Sequence, residues 1–287
     1  ELKKKLGEAK SPDESIVLWK ELNLLQNEDK QVKKINREMY SLRCDTEYKL
    51  AGCREYLGKT FYVPHNMDFR GRCYPLPINV QHMGSDLTRA MLNFAEARPL
   101  GMRGLYWLKI HLANLMGKDK LSFQDRIDFA ESFIPTAIRI GSDPLSDSNL
   151  EIWTAQEDPF QLLGVIFDLK KASALGAHRM HEYSSRIPVH LDGSCNGLQH
   201  YAALGRDLEG GTQVNLTYAR YPQDIYSAVA ERVAALVSAD AAKGNAIALL
   251  VDGKITRKIV KQTVMTSVYG VTHFGSVSQI SNRIREI

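Results

Sequence analysis

Apolar residues in this 287-residue chain recur mostly every third or fourth position, the spacing that gathers them on one face of a helix. The pattern predicts helices over 102–116, 123–140 and 159–175, separated by the polar breaks Gly117-Lys-Asp119 and Gly141-Ser-Asp-Pro144. Pro222 opens a further one over 223–238, with Ile225, Val229, Val233 and Leu236 expected inward. Residues 1–60 are rich in Lys, Glu, Leu and Arg, and Pro12-Asp13-Glu14 reads as a helix start ahead of Ile16-Val-Leu-Trp19. Two-residue alternation is scarcer. Phe61-Tyr-Val-Pro64 reads as a short strand broken at the proline, with a turn over 66–72 after it. Ile187, Val189 and Leu191 predict a strand ending at Asp192, and 198–204 can start a helix that Gly210-Gly211 breaks, with Val214-Asn-Leu216 a short extended piece. Phe274-Gly275 predicts a turn, and Ile284-Arg-Glu-Ile287 the continuation of a helix. The fold class expected is α+β, mostly helical.

Composition changes this picture little. The net charge of +4 is mildly basic, so a nucleic-acid partner is allowed without being required. The clearest local excess of cations lies beyond Lys243, where Lys254, Arg257, Lys258, Lys261, Arg283 and Arg285 face chiefly Asp252 and Glu286. Lys30, Lys33, Lys34 and Arg37 form a second basic stretch, either a solvated helix face or a phosphate-tracking one. Cys44, Cys53, Cys73 and Cys195 form no Cys-x-x-Cys pair, which argues against a zinc or disulfide framework. His111, His178 and His181 lack the spacing of a metal cluster and read as structural or surface residues. No apolar run is long enough for a membrane helix. The absence of an initiator Met and the end in mid-pattern at Ile287 suggest cuts through a larger protein.

Two stretches carry candidate chemistry. In His190-Leu-Asp-Gly-Ser-Cys-Asn-Gly-Leu-Gln-His200, an ionised Asp192 followed by Gly193 can present carboxylate and backbone oxygens to a hard divalent cation. The same residues can equally be a strand-ending turn, with Ser194 or Asn196 capping the next helix. In the second stretch, Arg257, Lys261, Met265 and Tyr269 recur every fourth residue, so a helix carries them as one slowly drifting stripe. Two cations and an aromatic suit a triphosphate and a base or sugar; a solvated basic face with Val264 and Val268 inward explains the pattern as well. Asp68-Phe-Arg-Gly-Arg72 adds two guanidinium forks, suited to phosphates or to an Asp68–Arg72 ion pair.

Together these stretches resemble the single-subunit RNA polymerases of mitochondria and certain bacteriophages. Asp192-Gly-Ser-Cys-Asn-Gly-Leu-Gln-His200 resembles their motif A, Arg257-x3-Lys261-x7-Tyr269-Gly270 their motif B, and Asp68-Phe-Arg-Gly-Arg72 their Asp-aromatic-Arg-Gly-Arg element, in the same order. The resemblance extends through Trp107-Leu-Lys-Ile-His111, Glu157-Asp-Pro-Phe160 and Pro222-Gln-Asp224. It covers nearly everything after about Phe61, and 196–207 is closer to the mitochondrial branch.

The resemblance implies a right-hand polymerase fold with a thumb-like helical segment over 1–60, the first part of a palm over 61–96, a helical insertion over 97–182, palm with motif A over 183–208, and the start of the fingers over 209–287. It implies template-directed ribonucleotidyl transfer with two Mg²⁺ ions, on a DNA template with ribonucleoside triphosphates and an RNA product, aided by transcription initiation factors in the mitochondrial matrix. Asp192 and the Gly193 carbonyl would hold metal, and Arg257 and Lys261 the triphosphate, with Lys261 assisting the leaving group. Tyr269 would cover sugar and base, and Gly270 leave room for the template base. Arg72, with Arg70 beside it, would contact the template–product hybrid, and Arg89 would approach the incoming nucleotide. Related DNA polymerases carry a Glu after motif A that blocks the 2′-hydroxyl; Ser194-Cys-Asn-Gly-Leu here is small and uncharged. A second metal carboxylate is expected in a downstream His-Asp-Ser, and no His-Asp pair occurs in these residues. The 287 residues alone are therefore expected to be inactive. The alternative is a polymerase-derived fragment that has lost catalysis and serves in nucleic-acid binding or assembly.

Overall fold

A computed structural model describes residues 12–286, with side chains from residue 16. The first eleven residues of the helical segment expected over 1–60, and Ile287, lie outside the described residues. The chain divides into two compact units, Glu1–Glu96 and Ala97–Ile287.

The first unit is built on one long helix, α1 (Pro12–Tyr56). Its sequence has no strong apolar stripe, and Trp19, Leu24, Val32, Met39 and Leu42 all stand exposed. In the basic stretch, Lys33 pairs with Asp29 at 2.7 Å and Lys34 with Glu38 at 3.7 Å across single helical turns. Near its C-terminal end Lys49 Nζ donates to Ser85 Oγ (3.2 Å), and a Cβ on Gly52 would stand 3.0 Å from Val80. The strand expected at 61–63 lies later: β1 (His65–Met67) pairs antiparallel with β2 (Cys73–Pro75). Pro64 has no N–H for a ladder, yet its carbonyl accepts from Leu76 N (2.9 Å), so the hairpin begins just after it. Gly71, at φ 79°, closes the turn, and α2 (Asp86–Ala90) follows.

The second unit is helical with one small strand pair. β3 (Arg98–Pro99) leads into α3 (Gly101–Ala113), a π-turn over Asn114–Lys118, α4 (Phe123–Ser142), α5 (Asp147–Thr154) and α6 (Pro159–Ser173). α4 starts where Ser122 accepts from Asp125 N, and α6 starts on Pro159, whose missing N–H costs nothing in a first turn. Leu112, Ile140, Leu162, Val165, Ile166 and Leu169 are fully buried where α3, α4 and α6 meet. Buried Arg126 fastens the π-turn to this block by donating to Leu121 O, Asn114 Oδ1 and Asp119 O (2.7–2.9 Å). A 3₁₀ turn (Ala177–Glu182) and β4 (Ser184–Ser185), antiparallel to β3, lead out of the block.

Beyond it lie α7 (Asn196–Gly205), α8 (Leu208–Gln213), α9 (Ile225–Ala242), α10 (Ala246–Val251), α11 (Arg257–Ser267) and α12 (His273–Ile284). The expected strand at 187–191 is not formed. Ile187 packs on the helical core, whereas Val189 and Leu191 are exposed, and no described segment pairs with this stretch; alternation alone makes no ladder without a partner. Gly210-Gly211 does not break a helix. The break falls at Arg206, in the left-handed conformation, and Asp207 Oδ1 then caps α8 by accepting from Gly210 N (3.0 Å). Val214-Asn-Leu216 is a turn around Asn215 at φ 60°. Phe274-Gly275 lies inside α12, whose cap Thr272 accepts from Gly275 N, and the turn comes earlier, at Gly270. Leu236 is exposed, and α9 buries Ala230 and Ala241 instead. The chain is mostly helical; among the described residues its strands are two antiparallel pairs.

Candidate nucleotide site

The segment carrying Asp192 leaves the helical block from a fixed root. Buried Asp168 on α6 accepts from Tyr183 Oη (2.9 Å) and Ser185 Oγ (2.5 Å), and burial together with this bond pushes the Tyr183 hydroxyl up to about 12. From there 186–191 runs without regular secondary structure to Asp192, an exposed carboxylate whose Oδ1 accepts from Gly193 N (2.7 Å). The Asn196 side-chain amide lies over Gly193, where a Cβ would make it move aside. Cys195 then turns into α7 in the left-handed conformation.

The turn is linked to the start of α11 through Tyr226 of α9, and α7, which follows it, touches the residue after the end of α11. At one end the Cys195 thiol donates to Tyr226 Oη (3.1 Å) on α9, and the Tyr226 ring lies under the Arg257 guanidinium, 5.2 Å from its centroid. At the other end Gly197 faces Val268, and a Cβ on Gly197 would stand 3.1 Å from Val268 Cγ2. The two stretches singled out in the sequence are thus neighbours in space. α11 is seated by Ile259 and Val260, which pack with Ala230 of α9.

An open groove of about 780 Å³ runs along α11, lined by Arg257, Lys258, Lys261, Gln262, Met265 and, from α12, Arg283. Arg257 is held by Asp224, through Nε–Oδ2 at 2.5 Å and Nη2–Oδ1 at 3.3 Å. Burial alone would raise the Asp224 carboxyl; hydrogen bonds from Arg257 and Ser227 outweigh it and keep it below the ordinary carboxylate range. Glu286 holds Lys258 (3.3 Å) and Arg283 (3.0 Å). Lys261 makes no ion pair among the described residues, and its exposed ammonium is the groove's uncommitted charge. Tyr269 lies past the end of α11 and is 77% exposed, followed by Gly270 at φ 76°.

The family model for DNA-dependent RNA polymerase matches residues 98–287, which include this whole constellation. The chain belongs to that family. It is 47% identical over 264 residues to the mitochondrial DNA-directed RNA polymerase of Homo sapiens, covering 92% of this chain and 21% of that protein. It is 48% identical over 268 residues to DNA-directed RNA polymerase 2, chloroplastic/mitochondrial, of Arabidopsis thaliana (90% and 26%). For the mitochondrial DNA-directed RNA polymerase of Schizosaccharomyces pombe the identity is 44% over 258 residues (90% and 22%). The chain spans about a quarter or less of the length of these relatives.

Among the residues singled out in this polymerase chain, Asp192, Gly193, Arg257, Lys261, Tyr269 and Gly270 belong to the second unit, and Arg70, Arg72 and Arg89 to the first. Of the two readings of Asp68-Phe-Arg-Gly-Arg72, the ion-pair alternative takes another form: Asp68 pairs with Arg70 (3.2 Å), while Arg72 gives its backbone N–H to Asp68 Oδ1 (2.9 Å). Arg89 sits half-buried on α2. Cys195 is a hydrogen-bond donor to Tyr226. Asp224 had drawn notice only within the Pro222-Gln-Asp224 resemblance and Tyr226 not at all; no local signal marks them, because their partners lie 31 and 33 residues away. As metal donors, Asp192 and the Gly193 carbonyl are hard oxygens of the kind Mg²⁺ takes. Among the described residues no three His, Cys, Asp or Glu side chains converge on a metal position, so these two make a partial set.

Proposed function

We propose that this chain carries part of the catalytic core of a mitochondrial DNA-directed RNA polymerase, acting on a DNA template, ribonucleoside triphosphates and the growing RNA, with initiation factors as further partners. The observation that supports it best is the linkage of the Asp192 segment to α11, through Cys195, Tyr226 and Arg257 at one end and Gly197 and Val268 at the other. In this reading residues 1–60 are thumb-like, 61–96 and 183–208 palm, 97–182 a helical insertion and 209–287 the start of the fingers of a right-hand fold. No helix among the described residues is long and apolar enough to cross a membrane.

Two Mg²⁺ ions would supply the Lewis acidity that activates the 3′-hydroxyl and neutralises the departing pyrophosphate. Asp192 and the Gly193 carbonyl would hold metal, together with water, substrate phosphates and a carboxylate outside this set. Arg257 would offer the edge of its fork to the triphosphate. Lys261, which makes no ion pair among the described residues, would pair with phosphate oxygens and protonate or stabilise the leaving group. Tyr269, exposed past the end of α11, would stack over sugar and base, and Gly270 would leave room for the template base. The small Ser194-Cys-Asn-Gly-Leu stretch leaves space for a ribose 2′-hydroxyl. Arg70, Arg72 and Arg89 are assigned to the nucleic acid and the incoming nucleotide.

The test is magnesium-dependent RNA extension by the polymerase at its full native length. Asp192→Ala is expected to lower the rate by about a thousandfold or more while leaving the melting temperature unchanged. The 287 residues by themselves are expected to extend nothing. Extension that survives Asp192→Ala would overturn the assignment, and a full-length protein that is inactive throughout would support an assembly role.

A further inference from the structure

We propose that Asp224 and Tyr226 are positioning residues: together they fix the plane and direction of the Arg257 guanidinium, so that its unused N–H groups face a substrate phosphate in the α11 groove. The inference rests on the phosphate role of Arg257 given above. An arginine on an exposed helix start samples many rotamers, and ordering it at the moment of binding weakens that binding. Here the ordering is done beforehand. Asp224 grips one edge through Nε and Nη2, and the Tyr226 ring covers one face at 5.2 Å. A guanidinium has five N–H donors; this grip uses two and leaves both on Nη1 and one on Nη2.

The grip is itself braced. Ser227 Oγ donates to Asp224 Oδ2 (2.7 Å), which fixes the carboxylate at the head of α9. The Cys195 thiol donates to Tyr226 Oη at 3.1 Å, which fixes the ring from the turn that follows Asp192. The direction of Arg257 is thereby tied to the placement of the Asp192 turn. A purely structural ion pair would need neither the ring beneath the guanidinium nor the thiol behind the ring.

The experiment is steady-state nucleotide incorporation by the full-length polymerase on a preassembled template–primer, titrating one ribonucleoside triphosphate, with melting temperatures alongside. Arg257→Ala sets the scale for loss of the phosphate contact. Asp224→Asn and Tyr226→Leu are expected to raise KM about five- to tenfold with kcat within about twofold. Tyr226→Phe, which keeps the ring under Arg257 and loses only the thiol brace, and Asp224→Glu, which keeps the charge and shifts its place, are each expected to fall between the wild type and the Leu or Asn variant, and Asp224→Asn combined with Arg257→Ala to be no worse than Arg257→Ala alone. If Arg257→Ala raises KM while Asp224→Asn and Tyr226→Leu change only the melting temperature, or if their effects add in full to that of Arg257→Ala, the positioning role is overturned and the phosphate role stands. If Arg257→Ala itself leaves KM unchanged, the phosphate role falls and the positioning role with it.

Discussion

The block formed by α3 to α6 and the group formed by α9, α11 and α12 are held together by different means. The first buries a continuous set of large aliphatic side chains, six of them essentially without solvent contact. The second has a small buried cluster of Ala230, Ile259 and Val260, edged by partly buried Val229, Ile255, Val264 and Ile280, and supplements it with polar contacts between helices. Thr263 and Thr266 of α11 donate to Gln279 Oε1 of α12 (3.2 Å each), Lys258 and Arg283 share Glu286, and Arg257 is gripped from α9. Dispersion and burial are indifferent to small rotations, whereas hydrogen bonds are directional. The block therefore suits a scaffold, and the second group suits side chains that must point one way.

Substitutions can break or sharpen this contrast. The largest stability effect is expected from Ile166→Ala, where a fully buried side chain among close-packed neighbours leaves a cavity: about 4 kcal/mol, read from chemical denaturation. A loss under about 1 kcal/mol would mean the block is looser than its burial implies. Next comes His111, buried on α3 and held neutral, its protonated form disfavoured first by burial and then by nearby His190, so that its pKa falls to about 4. Between that value and the ordinary 6.5 the unfolded chain binds a proton that the folded chain does not, so stability is full above about pH 6.5 and declines as pH falls. The drop from pH 7 to pH 5 is expected to be about 2 kcal/mol, and His111→Leu should flatten that part of the profile. The smallest is Ile259→Ala at the α9–α11 contact, about 2 kcal/mol at most, because its surroundings are thinner and can close around the gap. If Ile259→Ala cost as much as Ile166→Ala, the contrast between the two regions would fail.

What was legible in the sequence follows from the range of the interactions concerned. The helices at 102–116, 123–140 and 159–175 were found within a few residues of Gly101–Ala113, Phe123–Ser142 and Pro159–Ser173, since a helix satisfies its own backbone and announces itself locally. α5 escaped notice because eight residues give too few turns for a period to emerge. The alternation at 187–191 was real, but a strand is defined by its neighbour, and none of the described residues supplies one. Gly210-Gly211 and Phe274-Gly275 misled because a capping side chain, Asp207 or Thr272, outweighed the glycines that follow it. Within the site, Asp192, Gly193, Arg257, Lys261, Tyr269 and Gly270 stood in two compact motifs. The grip on Arg257 did not, because it joins three separate stretches of chain that meet only after folding.

The length of α1 has a mechanical side. At 1.5 Å per residue its 45 residues form a rod of roughly 65 Å, and its side-chain anchorage to the rest of its own unit comes near the C-terminal end, at Lys49 and Gly52. Such a rod is a lever with its fulcrum at one end. A tilt of about five degrees at the anchored end carries the far tip through roughly 5 Å, given the same rise per residue. Repacking too slight to notice around Ser85 or Val80 is thus amplified into a displacement wide enough for a fluorophore near Trp19 to register.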